Sequence, residues 1–146
     1  MLSQNQKYQR FQWMKLKVRQ RALRAGYRSG LEQDTAKFLK KRGIGFTYEE
    51  MKIKWVDPKT KTYTPDFVLD NGMIIETKGR FISPDRAKHL AVRDQYPELD
   101  IRFVFTNSKS KLYKGSKTTY GMWCNKYDFK YADRYIPEAW LKEPKR

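Results

Sequence analysis

The chain contains one cysteine, Cys124, and one histidine, His89, among its 146 residues. A single cysteine excludes an intrachain disulfide and a cysteine-rich zinc site, and it favours a reducing compartment. No apolar run approaches the roughly 20 residues of a membrane-spanning helix, and the first residues lack the central apolar run of a secretory signal. We therefore expect neither a disulfide-stabilised scaffold nor a membrane partner.

Acidic residues are scarce relative to basic ones. The sequence has 32 lysines and arginines against 16 aspartates and glutamates, a formal net charge of +16. An excess of this size is typical of proteins that bind polyanions such as nucleic acids. Hydrophobic residues make up 39% of the chain and aromatic residues 15%, which is enough for one modest core in a single domain.

The segment 1–28 is expected to form a basic N-terminal arm before a folded domain at 29–146. No acidic residue precedes Glu32. Apolar side chains recur in the arm at roughly helical spacing, which predicts a basic amphipathic helix that orders on a phosphate backbone. These side chains are Phe11, Met14, Val18, Ala22 and Ala25. A solvated, disordered tail is one alternative. An arginine-rich organellar transit peptide is another, although the arm is poor in serine.

The most informative pattern lies between Tyr63 and Gly79. Two runs rich in β-branched and aromatic residues, 63–69 and 73–78, flank the turn residues Asp70-Asn71-Gly72. This composition predicts a β-hairpin.

The length of the hairpin loop decides which side chains share a face. A three-residue loop with Gly72 in the left-handed conformation places Asp66 opposite Glu76. A two-residue loop would pair Asp66 with Thr77 and turn Glu76 to the other face, because a one-residue slip inverts every side chain.

With the longer loop, two carboxylates and one ammonium group converge. Glu76 and Lys78 share a face through the two-residue period of a strand, and Asp66 faces them. A divalent cation with oxygen ligands relieves the repulsion between the acids and keeps positions open for water and phosphate. Lys78 can orient a water or stabilise charge that builds on the phosphate. The pattern predicts a magnesium-dependent nuclease. The alternative is a surface hairpin with a charged cluster.

Pro65 before Asp66, the apolar run 73–75 and Gly79 after Lys78 reproduce the PD…ExK pattern of a large nuclease superfamily. The resemblance implies an α/β fold of the PD-(D/E)xK type, with a mixed central β-sheet flanked by helices.

A helix is expected to begin after the N-cap Ser29 and to end at Gly43. Leu31, Thr35, Phe38, Leu39 and Arg42 recur along it at helical spacing. Glu32 stands three residues after Ser29, where an S-x-x-E capping box explains it without any catalytic role.

The remaining elements follow from local patterns. We expect a strand at 46–53, a polar connection at 54–62, a helix from Ser83-Pro84 to before Pro97 with Ala87, Leu90 and Ala91 inward, and a central strand at 101–106. Tyr120, Trp123, Cys124 and Tyr127 have helical spacing and are expected to be core residues.

Several basic residues are candidates for phosphate contact. Lys109, Lys111 and Lys114 cluster in a predicted loop, and His89 beside Lys88 is expected to be solvated or in contact with phosphate. The residues expected to bind DNA are Arg28, Arg80, Lys88, His89, Lys109, Lys111 and Lys114.

The chain also resembles the phage endonuclease I family, the four-way-junction resolvases of T-seven-like coliphages. The likeness covers roughly residues 28–145. It is carried by Arg28–Glu32, Phe46–Glu50, Tyr63–Phe67, Glu76–Gly79, Lys88–Leu90, Tyr96–Arg102, Lys111–Ser116, Tyr120–Gly121 and Trp140–Lys145.

This resemblance implies a catalytic set of Glu32, Asp66, Glu76 and Lys78. Asp66 and Glu76 would be metal-binding carboxylates, the main-chain carbonyl of Thr77 a further metal ligand, and Glu32 would join the metal site. The implied cofactor is Mg²⁺, with Mn²⁺ as a substitute, and no small-molecule cofactor beyond the metal.

The resemblance further implies an intertwined homodimer in which the first helix and strand cross to the partner, with 54–62 as the bridge. The implied activity is hydrolysis of Holliday junctions and other branched DNA during recombination, leaving 5′-phosphate and 3′-hydroxyl ends, in the cytoplasm of an infected bacterium. The alternatives are a mismatch-nicking or restriction-type endonuclease of the same superfamily and a non-catalytic architectural DNA-binding protein.

Overall fold

The computed structural model describes residues 3–56 and 60–145, with the backbone alone at residues 8 and 11–17. Its centre is a five-stranded mixed sheet in the order β1-β4-β5-β6-β7, beside a separate hairpin of β2 and β3. The strands are β1 Phe46–Tyr48, β2 Ile53–Val56, β3 Thr60–Tyr63, β4 Phe67–Leu69, β5 Ile74–Lys78, β6 Ile101–Phe105 and β7 Tyr131–Asp133.

Helices cover both faces of the sheet. They are α1 Gln4–Arg24, α2 Gly30–Lys41, α3 Ser83–Gln95, α4 Tyr120–Lys126 and α5 Glu138–Leu141. Ile75 and Val104 pack with residues of α2 and α5, whereas Ile74 and Phe103 pack with residues of α3 and α4. The predicted α/β class, a mixed central sheet flanked by helices, is confirmed.

Strand direction changes across the sheet. β1, β4 and β5 are antiparallel neighbours, whereas β5, β6 and β7 run parallel. All five residues of β6 are buried, which confirms the predicted interior strand. The carboxyl ends of β5, β6 and β7 therefore meet at one edge of the sheet.

The strand register expected for a three-residue hairpin loop is confirmed. Phe67 pairs with Ile75 and Val68 with Ile74, and the Leu69 N–H donates to the Met73 carbonyl. Gly72 has a φ of 89°, the left-handed conformation that the longer loop requires.

Two predicted strands are interrupted. The run 46–53 divides into β1 and β2, because Glu49 adopts a left-handed φ of 51°. The run 63–69 divides at Thr64-Pro65-Asp66, since a proline has no N–H to donate to a sheet ladder. Asp66 therefore lies in an irregular segment at the entrance to β4.

The segment 54–62 was expected to be a polar connection, which is wrong for its described residues. Residues 54–56 belong to β2 and residues 60–62 to β3, and these strands pair with each other. The Gln95 side-chain amide donates to the Val56 carbonyl and accepts from the Val56 N–H. Contacts with α3 thus stabilise the β2–β3 hairpin, although the polar composition of this segment is typical of a loop.

Helix α2 forms as predicted, with the Ser29 side chain accepting from the Glu32 N–H and Gly43 at a φ of 67°. In α3 the predicted inward stripe is partly wrong, because Ala87 is exposed and the fully buried residues are His89 and Val92. Leu90 and Ala91 are half-buried beside the core.

The N-terminal arm is helical. Ser3 and Gln6 form a capping box at the start of α1, and Ala22 is buried whereas Val18 is 40% exposed. The Phe11 and Met14 side chains, which the amphipathic prediction also used, lie outside the described part. Within that part, no helix is long and apolar enough to cross a membrane.

The predicted core role of the residues around α4 is confirmed. Tyr120, Trp123 and Cys124 are buried, and Tyr127 packs against them. Burial raises the pKa of the Cys124 thiol to about 12, so this cysteine is an inert core residue.

Candidate active site

Asp66, Glu76 and Lys78 meet at the carboxyl end of β5. Glu76 and Lys78 lie on one face of that strand, with 3.8 Å between the Lys78 Nζ and Glu76 Oε2 atoms. The hairpin register brings Asp66 beside Glu76, and the Asp66 N–H donates to Glu76 Oε1 at 3.2 Å. The predicted convergence of two acids and one lysine is present in the fold.

Asp66 is held by Thr77. The Thr77 N–H and the Thr77 hydroxyl both donate to Asp66 Oδ2 at 2.9 Å. Burial raises the pKa of Asp66, and the charge of Glu32 raises it further, while the hydrogen bonds from Thr77 oppose the shift. This carboxylate is thus oriented by β5 and repelled by a neighbouring acid.

Glu76 is buried, with 2% of its surface exposed. The Tyr63 hydroxyl donates to Glu76 Oε1 at 2.6 Å. Burial raises the pKa of Glu76 to about 8, with a further contribution from the charge of Asp66 and opposition from Lys78. A positive charge close to this carboxylate would favour its ionised form.

Glu32 enters from the first turn of α2. Its N–H donates to the Ser29 hydroxyl, which forms half of the expected capping box. Its carboxylate does not complete that box, because Glu32 Oε2 accepts from the Arg28 N–H at 2.8 Å and from the Tyr48 hydroxyl at 2.6 Å. The side chain is therefore held in place beside Asp66.

A third carboxylate, from Glu49, joins this pair and was missed in the sequence. One oxygen from each of Glu32, Glu49 and Asp66 lies within 4.8 Å of the others, a group that could hold a metal ion. Glu49 lies within residues 46–53, which were predicted to form one continuous strand. The alternation of polar and apolar residues in this segment does not indicate the left-handed backbone conformation of Glu49. Glu76 is not part of this group, and its Oε1 atom accepts hydrogen bonds from the Tyr63 hydroxyl and the Asp66 N–H.

Glu49 has an incompletely satisfied carboxylate. Its Oε1 atom lies 2.7 Å from the Arg28 Nε atom, yet the atom is buried without a hydrogen bond. The two observations agree if the pair is close but the guanidinium N–H points away from the oxygen. This leaves a lone pair available to a cation.

Two lysine side chains lie close to the acidic residues of the candidate site. Lys78 Nζ lies 3.6 Å from Asp85 Oδ1, and Lys88 Nζ lies 4.0 Å from the same atom. The Lys88 charge also opposes the rise in the Glu76 pKa. Lys88, expected to contact DNA, thus lies beside the candidate carboxylates of the site.

The expectation that His89 is solvated is wrong. Its side chain has 0% exposure and packs edge-on against Tyr63 and Phe103. Burial lowers its pKa well below the ordinary value, and Lys78 and Lys88 lower it further. His89 lies on the inward face of α3, so it offers no surface to a phosphate.

The other basic residues expected to bind DNA lie at the surface. Arg28 is 71% exposed beside the carboxylate group, and Arg80 follows Gly79 at the end of β5. Lys109, Lys111 and Lys114 are exposed in the segment between β6 and α4. Their contact with DNA stays a prediction.

This chain is similar to known phage endonucleases. A family model described as phage endonuclease I matches residues 12–146. Endonuclease I of Escherichia phage T7 is 55% identical over 121 residues, which cover 82% of this chain and 81% of the relative. Endodeoxyribonuclease 1 of Enterobacteria phage T3 is 55% identical over 121 residues, which cover 82% of this chain and 80% of the relative. This chain therefore belongs to the phage endonuclease I family and is a DNA-cleaving hydrolase.

Proposed function

We propose that this protein is a structure-selective endonuclease that resolves four-way (Holliday) junctions and other branched DNA. The reaction is metal-dependent phosphodiester hydrolysis that leaves 5′-phosphate and 3′-hydroxyl ends. The observation that carries the proposal is the convergence of Asp66, Glu76 and Lys78, with Glu32 beside Asp66, at the end of one strand. The phage origin of the relatives favours action in the bacterial cytoplasm during DNA recombination.

The side chains fit a divalent cation. Oxygen ligands suit Mg²⁺, with Mn²⁺ as a substitute. Asp66, Glu76, Glu32 and the main-chain carbonyl of Thr77 would hold it, and Glu49 adds a buried oxygen without a hydrogen bond. The raised pKa values of Asp66 and Glu76 support this fit, because crowded buried acids favour a positive partner. A bound cation supplies charge neutralisation at the phosphate and activation of water.

The protein side chains position the reacting groups. Thr77 orients Asp66, and Tyr63 orients Glu76. The Lys78 ammonium is only 14% exposed and can stabilise negative charge that develops on the phosphate. This electrostatic stabilisation is stronger in a site that excludes most water than in bulk water.

We further propose that two copies exchange α2 and β1, so that Glu32 of one copy completes the site of its partner. β1 pairs at the sheet edge with β4, and the same contacts can form between two chains when an element is exchanged. The segment 54–62 would act as the bridge if β2 and β3 separate. Two sites in one dimer suit paired nicks on a two-fold-symmetric junction.

A synthetic four-way junction and a linear duplex of the same sequence test the proposed function. With Mg²⁺ present, we expect the wild-type protein to cut the junction preferentially and the Glu76→Gln variant to bind it without cutting. Equal cutting of junction and duplex would instead indicate a restriction-type enzyme, and preferential cutting of a duplex that carries a mismatch would indicate a mismatch-nicking enzyme. Binding without any magnesium-dependent cutting would indicate an architectural protein.

A further inference from the structure

A groove of about 920 Å³ opens at the carboxyl ends of the parallel strands. Gly79 follows β5, Thr106 follows β6, and Arg134 and Tyr135 follow β7. The opposite wall is the exposed side of α2, including Lys37 and Lys41. Open α/β sheets commonly bind ligands at this edge, beyond the carboxyl ends of their strands.

Both walls of the groove contain residues that are adjacent in sequence to residues of the candidate active site. Gly79 directly follows Lys78, and the lining residues Ser29, Gly30 and Leu31 directly precede Glu32. A DNA strand whose scissile phosphate lies between Lys78 and Glu32 would therefore meet the groove within its next nucleotides.

The charges in the groove favour a polyanion. Lys37, Lys41 and Arg134 are exposed and oppose a single lining acid, Asp34. Within the described residues, none of these three basic side chains forms an ion pair. Their charges are thus available to phosphate groups.

Tyr135 gives the groove an aromatic surface. Its side chain is 66% exposed, and its ring lies 6.1 Å from that of Phe38. The preceding residue, Arg134, has a left-handed φ of 64°, and its N–H donates to the Phe105 carbonyl at 2.7 Å. Non-glycine residues rarely adopt this conformation, and such strain often accompanies binding sites.

We propose that this groove binds an unpaired DNA segment next to the cleavage site, with phosphates on Lys37, Lys41 and Arg134 and a base stacked on Tyr135. An exposed ring favours an unpaired base because each face of a paired base is covered within the duplex. Basic grooves with stacking aromatics are the general solution for single-stranded nucleic acid. The inference rests on the proposed cleavage of branched DNA and assigns it a strand-binding subsite.

The test measures binding with the metal chelated, so that cleavage does not interfere. Three DNAs are compared: a duplex with a short single-stranded flap, the same molecule with abasic flap positions, and the fully paired duplex. Wild-type protein should bind the flap with bases more tightly than the abasic flap. Tyr135→Ala should weaken binding of the base-bearing flap about tenfold and remove this difference, whereas Tyr135→Phe should retain it.

Tyr113→Ala is the matched control, because Tyr113 is also 66% exposed but lies outside the groove. It should leave the preference for flap bases unchanged. Lys37→Gln, Lys41→Gln and Arg134→Gln should each lower the log-log salt slope by about 0.7, the value for a single-strand contact. Equal effects of Tyr135→Ala on all three DNAs, or an equal loss of preference in Tyr113→Ala, would overturn the proposal.

Cleavage of a four-way junction by the wild-type protein is measured in parallel. Junction cutting combined with no base-dependent effect of Tyr135→Ala would refute the groove assignment and leave the proposed function standing. Failure to cut any branched DNA would refute the function independently of the binding result.

Discussion

The Tyr63 hydroxyl donates to Glu76 Oε1 at 2.6 Å in the interior of the protein. Tyr63 is 1% exposed and Glu76 is 2% exposed. The hydrogen bond occupies one carboxylate oxygen and leaves Glu76 Oε2 near Lys78, at 3.8 Å. Because Glu76 is both buried and fixed in place, we expect it to affect catalysis and stability in separately measurable ways.

The first prediction concerns catalysis. Asp66→Asn, Glu76→Gln and Lys78→Ala should each reduce junction cutting by on the order of 10²- to 10³-fold, the scale of losing a principal electrostatic stabiliser. Junction affinity should remain largely intact, because most of it comes from phosphate contacts elsewhere on this basic chain. Single-turnover cleavage and metal-free binding assays measure the two quantities separately.

Asp94→Asn is a suitable control, since Asp94 is an exposed acid on α3 outside the site. It should cut at the wild-type rate. Wild-type rates in the Glu76→Gln protein would show that the site is wrongly assigned.

The second prediction concerns the pH dependence of stability. Because the pKa of Glu76 in the folded protein is about 8 and its ordinary value is 4.5, the folded state keeps a proton that the unfolded state releases. The metal-free wild-type protein should therefore lose stability as pH rises from about 4.5 to 8, by up to about 1.4 kcal/mol per unit. The Glu76→Gln protein lacks this titrating carboxyl group. Its free energy of unfolding should therefore increase relative to that of the wild type over the same pH range.

Denaturant unfolding in the presence of a chelator, at several pH values, gives these free energies. Adding Mg²⁺ near pH 8 should then stabilise the wild-type protein more than Glu76→Gln, because only the wild type has this ionisable oxygen ligand. A constant difference between the two proteins at every pH would contradict the raised pKa.

The third prediction concerns the N-terminal arm. Junction affinity should fall steeply with salt, and deletion of residues 1–26 should make the fall shallower, by about 0.9 in the log-log slope per lost duplex phosphate contact. A full-length variant with Arg10, Arg19, Arg21 and Arg24 changed to glutamine keeps Lys7, Lys15 and Lys17, and it should also make the fall shallower, by no more than the deletion does. Unchanged slopes in both proteins would exclude a phosphate-binding arm and favour the transit-peptide alternative.

The fourth prediction tests element exchange. Glu32→Ala chains and Glu76→Gln chains are each expected to be inactive. If Glu32 completes the partner's site, a mixed dimer has one site with both substitutions and one intact site, so mixing should restore part of the activity. With mixed dimers verified by mass spectrometry, an absence of rescue would mean that each site is built from one chain.

Local patterns predicted the elements around the site well. Ser29 and Gly43 mark the two ends of α2, because the start of a helix needs a side-chain hydrogen-bond acceptor and the end of a helix favours a residue in the left-handed conformation. Gly72 marked the hairpin turn, and the two-residue period of β5 placed Glu76 and Lys78 on one face. Each inference used residues within one helix or one hairpin.

Long-range contacts explain where these patterns failed. His89 follows a lysine on a basic helix, yet the packing of α3 on the sheet buries its ring against Tyr63 and Phe103. Glu49 joins Glu32 and Asp66 only because the chain turns after β1 and β1 pairs with β4. Neither arrangement leaves a periodic signal in the sequence.

The sequence by itself predicted the α/β class of this protein, its central hairpin and the candidate residues Asp66, Glu76 and Lys78, because turn chemistry and strand alternation act over short distances. Its resemblance to a family supplied Glu32. Only the tertiary structure decided the burial that raises the Glu76 pKa, the carboxylate contributed by Glu49 and the groove beneath Tyr135. These features depend on which distant segments pack together, since desolvation and cavity shape are properties of the assembled fold.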